Sequence, residues 1–483
     1  MSKVKKFIFS ELFWLFLILI FGFLVRIYKI NNPLADWHSW RQADTSSVSR
    51  IYFEEGINIL YPRYYDISSI QSGWFNPNGY RFVEFPLFNV IHTVLAKLGG
   101  PLNFEGWGRM TSIIFSLFSV VFVYLLGKRF ISPLGGLLSA FFFAFLPYNI
   151  YYSRVILPEP MATSLALFSV VLFVWFLDRN KLLFFYLSSV FLSLAVLVKP
   201  HAIFYLVPII LLFIEKYSLD GIFKNSRNFI RLLLFFVILI LPFLAWRVWV
   251  NQFPAGIPFM KWSFNGDMIR FHPAFWRWIF GERLGYLILG VYGVFIFGLG
   301  IISRTRKENF IRFFLVGMFL YVSIFAAANV RHDYYQIFII PSVSLALAQG
   351  GVFLVSDRRV GKIGVFAFSV FMMFFMSFYK IKDYYQINHP EIIEAGKAVD
   401  ELTPKNARII APYNGDTAFL YQTKRFGWPA VDSSFDKLIN ERGAKFYVSV
   451  EKESQDSKFI RSHFKLIKET DSYFIADLTQ KIK

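Results

Sequence analysis

The sequence predicts an all-α polytopic membrane protein of about eleven helices, ending in a small α/β domain outside the membrane. Three observations predict it. Of 483 residues, 56% are hydrophobic and 20% aromatic, while only 17% are charged, against about 25% in soluble domains. Apolar runs recur at the length needed to cross a hydrocarbon core about 30 Å thick. Basic residues collect in every second gap between those runs, which is the positive-inside pattern.

The first run, Phe7 to Ile27, follows Lys3, Lys5 and Lys6 and has no small-residue cleavage site after it. It is expected to stay as an uncleaved first helix. Further runs fall near 109–127, 133–151, 160–177, 182–198, 201–215, 231–250, 284–302, 310–328, 336–356 and 363–379. Lys199-Pro200 interrupts the 182–215 stretch, where two helices are expected to meet. The basic gaps hold Lys128 and Arg129; Arg179 and Lys181; Lys216, Lys224, Arg227 and Arg231; Arg304, Arg306 and Lys307; Arg358, Arg359 and Lys362. Their placement explains the net charge of +19 as topology rather than nucleic-acid binding. It puts an integral plasma-membrane protein's N-terminus in the cytoplasm, and an odd helix count puts the C-terminal domain outside. With no cysteine, there is neither a disulfide framework nor a thiolate site.

Residues 1–379 are thus expected to form the transmembrane domain. Its first outer loop, 28–108, is not a plain linker. Thr45 to Glu55 places Val48, Ile51 and Tyr52 on one face at helical spacing, and Pro86 to Leu98 is apolar but too short to span. Both suit amphipathic helices in the interface, joined by irregular structure over 62–83. A second outer loop runs from Asn251 to Arg283. Residues 380–483 are charged, with β-like runs at Ala407–Ala411, Lys445–Val450 and Tyr473–Ala476 and a helical pattern at Glu391–Leu402. They predict a soluble α/β domain. Walker, zinc-binding and Gly-rich nucleotide patterns are absent from the sequence.

A membrane enzyme that handles water-soluble groups must do so at the interface, so ionisable residues at the outer helix ends are the informative ones. Three carboxylates are expected there. Asp44 precedes the expected helix, where an N-cap role competes with a catalytic one, and Asp36 stands close by. Glu84 in Glu84-Phe85-Pro86 and Glu159 in Pro158-Glu159-Pro160 also fit helix starts, where the dipole favours an acid. Arg63, Arg81, Lys199, Arg331 and His332 lie on the same side. Outer loops are normally poor in Lys and Arg, so a membrane-anchored phosphate would give these cations a reason; headgroup anchoring is the plainer one. Trp40 and Trp74 could stack on sugar faces, although interfacial aromatic belts are commoner. Glu84 and His272 could together ligate a divalent metal.

In order and sidedness these pieces resemble the GT-C superfamily of polyprenyl-phosphate-sugar glycosyltransferases, in the protein mannosyltransferase and aminoarabinose transferase branch, RgtA-like form. The pieces are Trp40-Arg41-Gln42-Ala43-Asp44-Thr45, Glu84-Phe85-Pro86-Leu87, Pro158-Glu159-Pro160, Lys199-Pro200 and His332-Asp333-Tyr334-Tyr335, over residues 10–350. Phe85 stands where many relatives have Lys, so a phosphate contact expected there must come from elsewhere. The family often shows an adjacent Asp-Glu pair in this loop, and this chain does not, which leaves Asp36 as an alternative to Asp44.

The resemblance implies a GT-C-like fold and a sugar carried on polyprenyl phosphate. Asp44 would be the base, Asp36, Glu84 and Glu159 supporting acids, and Arg81, Lys199, Arg331 and His332 the phosphate's partners. The acceptor would be protein, lipid or glycan, and transfer would invert the anomeric carbon. The competing readings are a glycolipid transporter or flippase, and a glycan polymerase or ligase.

Overall fold

In the computed structural model, residues 10–303 and 309–482 are described. Lys3, Lys5, Lys6, Arg304, Arg306 and Lys307, whose charges bear on topology, lie outside the described residues. The chain divides into two compact units. The first comprises Met1–Tyr28, Arg109–Arg247 and Met260–Asp383; the second comprises Lys29–Gly108, Val248–Phe259 and Tyr384–Lys483.

Apolar runs leave a backbone no water to bond, so they become helices. Among the described residues, six helices are long and apolar enough to cross a membrane: Phe104–Phe130, Glu159–Arg179, Pro200–Tyr217, Ser226–Val250, Asp333–Val355 and Val360–Tyr385. A seventh span forms if Pro273–Ile288 and Gly293–Ile302, bent by 116°, count as one. The other expected stretches are shorter helices: Glu11–Arg26, Pro133–Phe145, Leu182–Val198 and Phe310–Ile324. By length and composition, six or seven spans are thus marked among the described residues.

The breaks in the first unit have local causes. Lys199 is extended (φ −152°) between Leu182–Val198 and the 3₁₀ turn Pro200–Tyr205, because the proline disfavours a helical residue before it. The 116° bend passes through Gly290 at φ +48°, where a Cβ would lie 2.2 Å from the Met373 carbonyl oxygen. Helices Gly293–Ile302 and Ile340–Val355 touch backbone to backbone. A Cβ on Gly300 would meet Ala346 O at 1.9 Å, and one on Gly350 would meet Ile296 O at 2.0 Å. That is the small-residue crossing expected where dispersion, not the hydrophobic effect, drives helix association. Arg26 is fully buried. Its guanidinium donates to the Gly22 and Ala144 carbonyls and to Ser153 Oγ, each at 2.8 Å, so the buried charge stays solvated by the protein.

In the second unit the first loop and the C-terminal segment share one core. Strands β1 (Arg408–Ile410), β2 (Gly427–Trp428), β3 (Ala444–Ser449), β4 (Phe464–Glu469) and β5 (Phe474–Lys481) form a sheet in the order β2-β1-β3-β5-β4. β1 runs parallel to β2 and β3, while β5 is antiparallel to β3 and β4. Trp428, Tyr447, Ile460 and Phe474 fill the core together with Ile67 from the first loop. That loop extends the sheet: Ile67 N donates to Gly427 O, and Gly427 N donates to Tyr65 O, both at 2.9 Å.

The helix expected from Thr45 begins earlier, at Ser39, and ends at Glu55. It is not amphipathic. Val48, Ile51 and Tyr52 are buried as their spacing predicts, but so are Arg41, Gln42, Asp44, Thr45, Ser46, Ser47 and Ser49. Burial of so many polar groups requires partners. Helix Leu87–Lys97 supplies some of them: Asn89 Nδ2 donates to Thr45 O at 2.7 Å, and Thr93 Oγ1 to Ser49 O at 3.0 Å.

Candidate active site

The helix Ser39–Glu55 carries the candidate base. His38 caps it in the left-handed conformation (φ 55°), without a side-chain hydrogen bond. Asp44 therefore lies in the second turn and is not an N-cap, which removes the plainer of the two roles its sequence context allowed. Its side chain is 0% exposed. Arg81 Nη2 donates to Asp44 Oδ2 at 2.6 Å, and Thr417 Oγ1 donates to Asp44 Oδ1 at 2.7 Å. A carboxylate offers about four acceptor positions, so these two contacts leave capacity for a further donor such as a substrate hydroxyl.

Each partner is itself fixed. Arg81 Nη1 donates to Gln71 Oε1, and its guanidinium lies 4.9 Å from the Tyr64 ring centroid. Its backbone N donates to Pro62 O at 2.8 Å. Thr417 begins the helix Thr417–Thr423, capped by Asp416, whose carboxylate accepts from Ala418 N at 2.7 Å. The Thr417 hydroxyl is shared with Trp40 O at 3.1 Å, which gives Trp40 a backbone role beside Asp44. One turn on, the Tyr421 hydroxyl donates to Glu105 Oε1 at 2.7 Å and lies 3.0 Å from Ser46 Oγ. Positions four apart on a helix share a face, so Thr417 and Tyr421 hold the same side of the Asp44 helix.

A second ion pair runs beside the first, from Arg41 Nη2 to Glu84 Oε1. The helix thus presents Arg41 and Asp44 three residues apart, facing Glu84 and Arg81, also three apart. Charges of each sign alternate across the contact, and a shift in pairing would set like charges together. Asp36 is buried, and its Oδ1 accepts from Gln42 Nε2 at 2.7 Å.

Two further carboxyls act on Asp44's surroundings, Asp66 buried and Asp416 half-buried. Burial pushes Asp66 up to about 6, against hydrogen bonds from Ser68, and the negative charge of Asp44 adds to the rise. Burial likewise pushes Asp416 up to about 6, opposed by its bond from Ala418 and reinforced by Asp44. Both are therefore held near neutrality's edge while Asp44 takes the direct guanidinium contact. Trp74 is two-thirds exposed, and its backbone N donates to Ser72 Oγ at 3.2 Å.

The remaining candidates lie in the first unit. Glu159 opens the helix Glu159–Arg179 and is 0% exposed. Lys199 Nζ sits 2.7 Å from its Oε1, an ion pair whose approach is not aligned as a hydrogen bond. The Lys199 ammonium is also 5.7 Å from the Tyr335 ring centroid. Arg331 pairs with Asp267 at 3.2 Å, and both side chains are at least half exposed. His332 packs on the Trp262 and Tyr334 rings, with centroids 5.7 and 5.6 Å away. Asp333, quoted in the sequence only as part of a motif, is buried; Tyr152 donates its hydroxyl to it, and Arg283 lies 3.7 Å away.

Glu84 is engaged by Arg41, and His272 is an exposed residue of the first unit. Among the described residues, no group of three or more His, Cys, Asp or Glu could hold a metal ion.

The chain is similar to known proteins in part of its sequence and in its fold. Residues 85–246 match the family model described as dolichyl-phosphate-mannose-protein mannosyltransferase. No curated protein matches the chain. Among solved structures, ArnT from Cupriavidus metallidurans bound to undecaprenyl phosphate aligns with a TM-score of 0.65 at 11% identity, covering 96% of this chain and 98% of that one. The oligosaccharyltransferase of Archaeoglobus fulgidus in its apo form aligns with a TM-score of 0.60 at 11% identity, covering 92% and 70%. AglB from the same organism, in complex with an inhibitory peptide and a dolichol-phosphate, aligns with a TM-score of 0.54 at 12% identity, covering 100% and 77%.

The chain is a multi-pass membrane protein with a GT-C fold. The resemblance read from its motifs, to the protein mannosyltransferase and aminoarabinose transferase branch, holds in both the family match and the fold.

Proposed function

We propose that the chain is a membrane glycosyltransferase that moves a sugar from a polyprenyl-phosphate donor to an extracytoplasmic acceptor. The single observation that carries this reading is the buried Asp44 carboxylate, held by Arg81 and Thr417 inside a helix of the first loop. The fold supports it, since structures that share it were obtained with undecaprenyl phosphate or dolichol-phosphate bound.

In this reading Asp44 accepts the proton of the acceptor hydroxyl as that oxygen attacks the anomeric carbon. The new carbon–oxygen bond forms as the bond from C1 to the phosphate oxygen breaks, and polyprenyl phosphate leaves with the electron pair. Attack opposite the leaving group inverts the configuration. A phosphate leaving group needs no proton, but it needs positive charge. Of the first unit's cations, Lys199 is already matched by a buried acid, whereas the Arg331 pair is exposed and so weak. Arg331, with His332 beside it, is the better phosphate partner. Arg81 is assigned to orienting Asp44. Glu84 is assigned to Arg41, and Glu159 to Lys199.

The likeness to oligosaccharyltransferases supports a second reading, in which the donor carries a preassembled glycan. The test is transfer from a labelled polyprenyl-phosphate monosaccharide by the purified chain in detergent. Release of free polyprenyl phosphate with wild type, and none with Asp44→Asn in a folded preparation, is expected. Retained turnover in Asp44→Asn removes Asp44 as base. Vesicle uptake of the lipid sugar without release would make the protein a transporter.

A further inference from the structure

The second unit holds a cavity of about 650 Å³ that the reading above does not use. Its size falls within the roughly 300–1,000 Å³ of small-ligand pockets. One wall is a cluster of three half-buried rings. Tyr61, Tyr80 and Phe253 have centroids 5.5–5.7 Å apart. The rim is polar. The side chains of Asn58 and Asn78 are exposed on it, and Arg63 pairs with Glu55 at 2.8 Å across it.

The cavity is rigidly framed. Arg63 Nε donates to Asn78 O at 2.9 Å. Asn76 holds the backbone of Tyr80 on both sides, donating to its O at 2.9 Å and accepting from its N at 3.0 Å. Trp249, whose indole donates to Leu60 O at 2.9 Å, buttresses Tyr61 from behind with a centroid distance of 5.5 Å. A site so held loses little freedom when a ligand arrives.

The lining selects a ligand class. A phosphate or other anion would meet a single guanidinium here, with the Glu55 carboxylate 2.8 Å from it and no second basic group in the lining. An acyl chain would strip water from two amides and an ion pair and return no hydrogen bonds. A saccharide satisfies both parts. Its C–H faces pack on aromatic rings, and its hydroxyls, each both donor and acceptor, match amides, a carboxylate and a guanidinium. The cavity also lies on the frame that carries the base. Tyr52 on its wall is eight residues beyond Asp44 in the same helix, about 12 Å at 1.5 Å per residue, and Tyr80 directly precedes Arg81.

We infer that this cavity is a saccharide subsite, which holds a sugar residue of the acceptor behind the hydroxyl presented to Asp44, and that the acceptor is therefore a glycan. The acceptor role rests on Asp44 being the transferase base; the binding itself does not.

The experiment uses the full chain in nanodiscs and a glycan array spanning neutral and amino-sugar oligomers, with the fluorescence of Trp249 read on titration of the best array ligand. Saccharide binding is expected, weakened at least about tenfold by Tyr61→Ala and by Asn78→Ala. An array without hits overturns the subsite. So does binding that both variants leave intact. If Asp44→Asn still transfers sugar while Tyr61→Ala weakens array binding, the base assignment fails and the acceptor role with it, but the saccharide site stands.

Discussion

Arg81 reaches Asp44 across 37 residues of chain and holds one of its oxygens at 2.6 Å, with neither side chain more than 7% exposed. Taking two charges out of water is costly, and their mutual attraction offsets that cost only when both are present. Removing one partner strands the other. Arg81→Met is expected to cost on the order of 3–5 kcal/mol, and so is Asp44→Leu, whereas the double variant should recover most of the stability without any activity. Thermal unfolding of the four proteins in one detergent gives the coupling. Additive losses would show that the pair is not a closed unit.

Thr417 gives the finer test, because it orients the carboxylate without carrying charge. Its hydroxyl fixes Asp44 Oδ1 and also meets Trp40 O. Thr417→Val keeps the shape and removes the donor, at about 0.5–1.5 kcal/mol of stability. A base freed to rotate is expected to lower kcat by about tenfold or more with KM little changed. Thr417→Ser should restore the rate. If Thr417→Val only lowers the melting temperature, the residue is structural and not positioning.

The sequence made parts of this legible and hid others for physical reasons. The motif order pointed to Asp44 and Glu84, and the apolar lengths pointed to the helices. The start of the Asp44 helix was missed because His38 caps it through a left-handed backbone with no side-chain bond, so no capping pattern exists to read. Thr417 stands 373 residues from Asp44, and no local rule joins them. Asn414-Gly415-Asp416 reads as a turn, and the turn does occur, with positive φ at Asn414 and Gly415, but what it delivers is the next residue. β2 is two residues long, and β4 buries only Phe464 while exposing Ile467, so neither rose above its surroundings. Arg26 looked like the closing charge of the first apolar run, and only tertiary structure shows it buried among carbonyls.

In the first unit the crossing of Gly300 and Gly350 sets the approach of two helices. An added Cβ at either position would sit about 2 Å from a backbone oxygen of the other helix, at Ala346 or Ile296. A backbone cannot yield as a side chain does, so the helices must part. Gly300→Leu and Gly350→Leu are each expected to destabilise by more than the ~1–3 kcal/mol of ordinary overpacking. Gly298→Leu, where nothing lies within 4 Å, is the control. Equal melting temperatures for Gly300→Leu and Gly298→Leu would refute the crossing.

The carboxyls of Asp66, buried, and Asp416, half-buried, make stability depend on pH in a stated direction. Each rises from 3.8 when free to about 6 in the fold. Between those values the folded protein holds a proton that the unfolded chain has released, so stability falls as pH rises from about 4 through about 6 and then levels. A shift of this size is on the order of 3 kcal/mol per group when complete. Asp66→Asn keeps the geometry, since an amide can still accept from Ser68 N and can donate to the Tyr64 hydroxyl. That variant is expected to flatten its share of the decline and to exceed wild type above pH 6.5. Asp416→Asn, which can still cap its helix, should do the same. Unfolding midpoints measured from pH 4 to 8 decide it: stability that climbs with pH over this window in wild type, or an unchanged slope in both variants, would mean that burial does not raise these carboxyls in the folded protein.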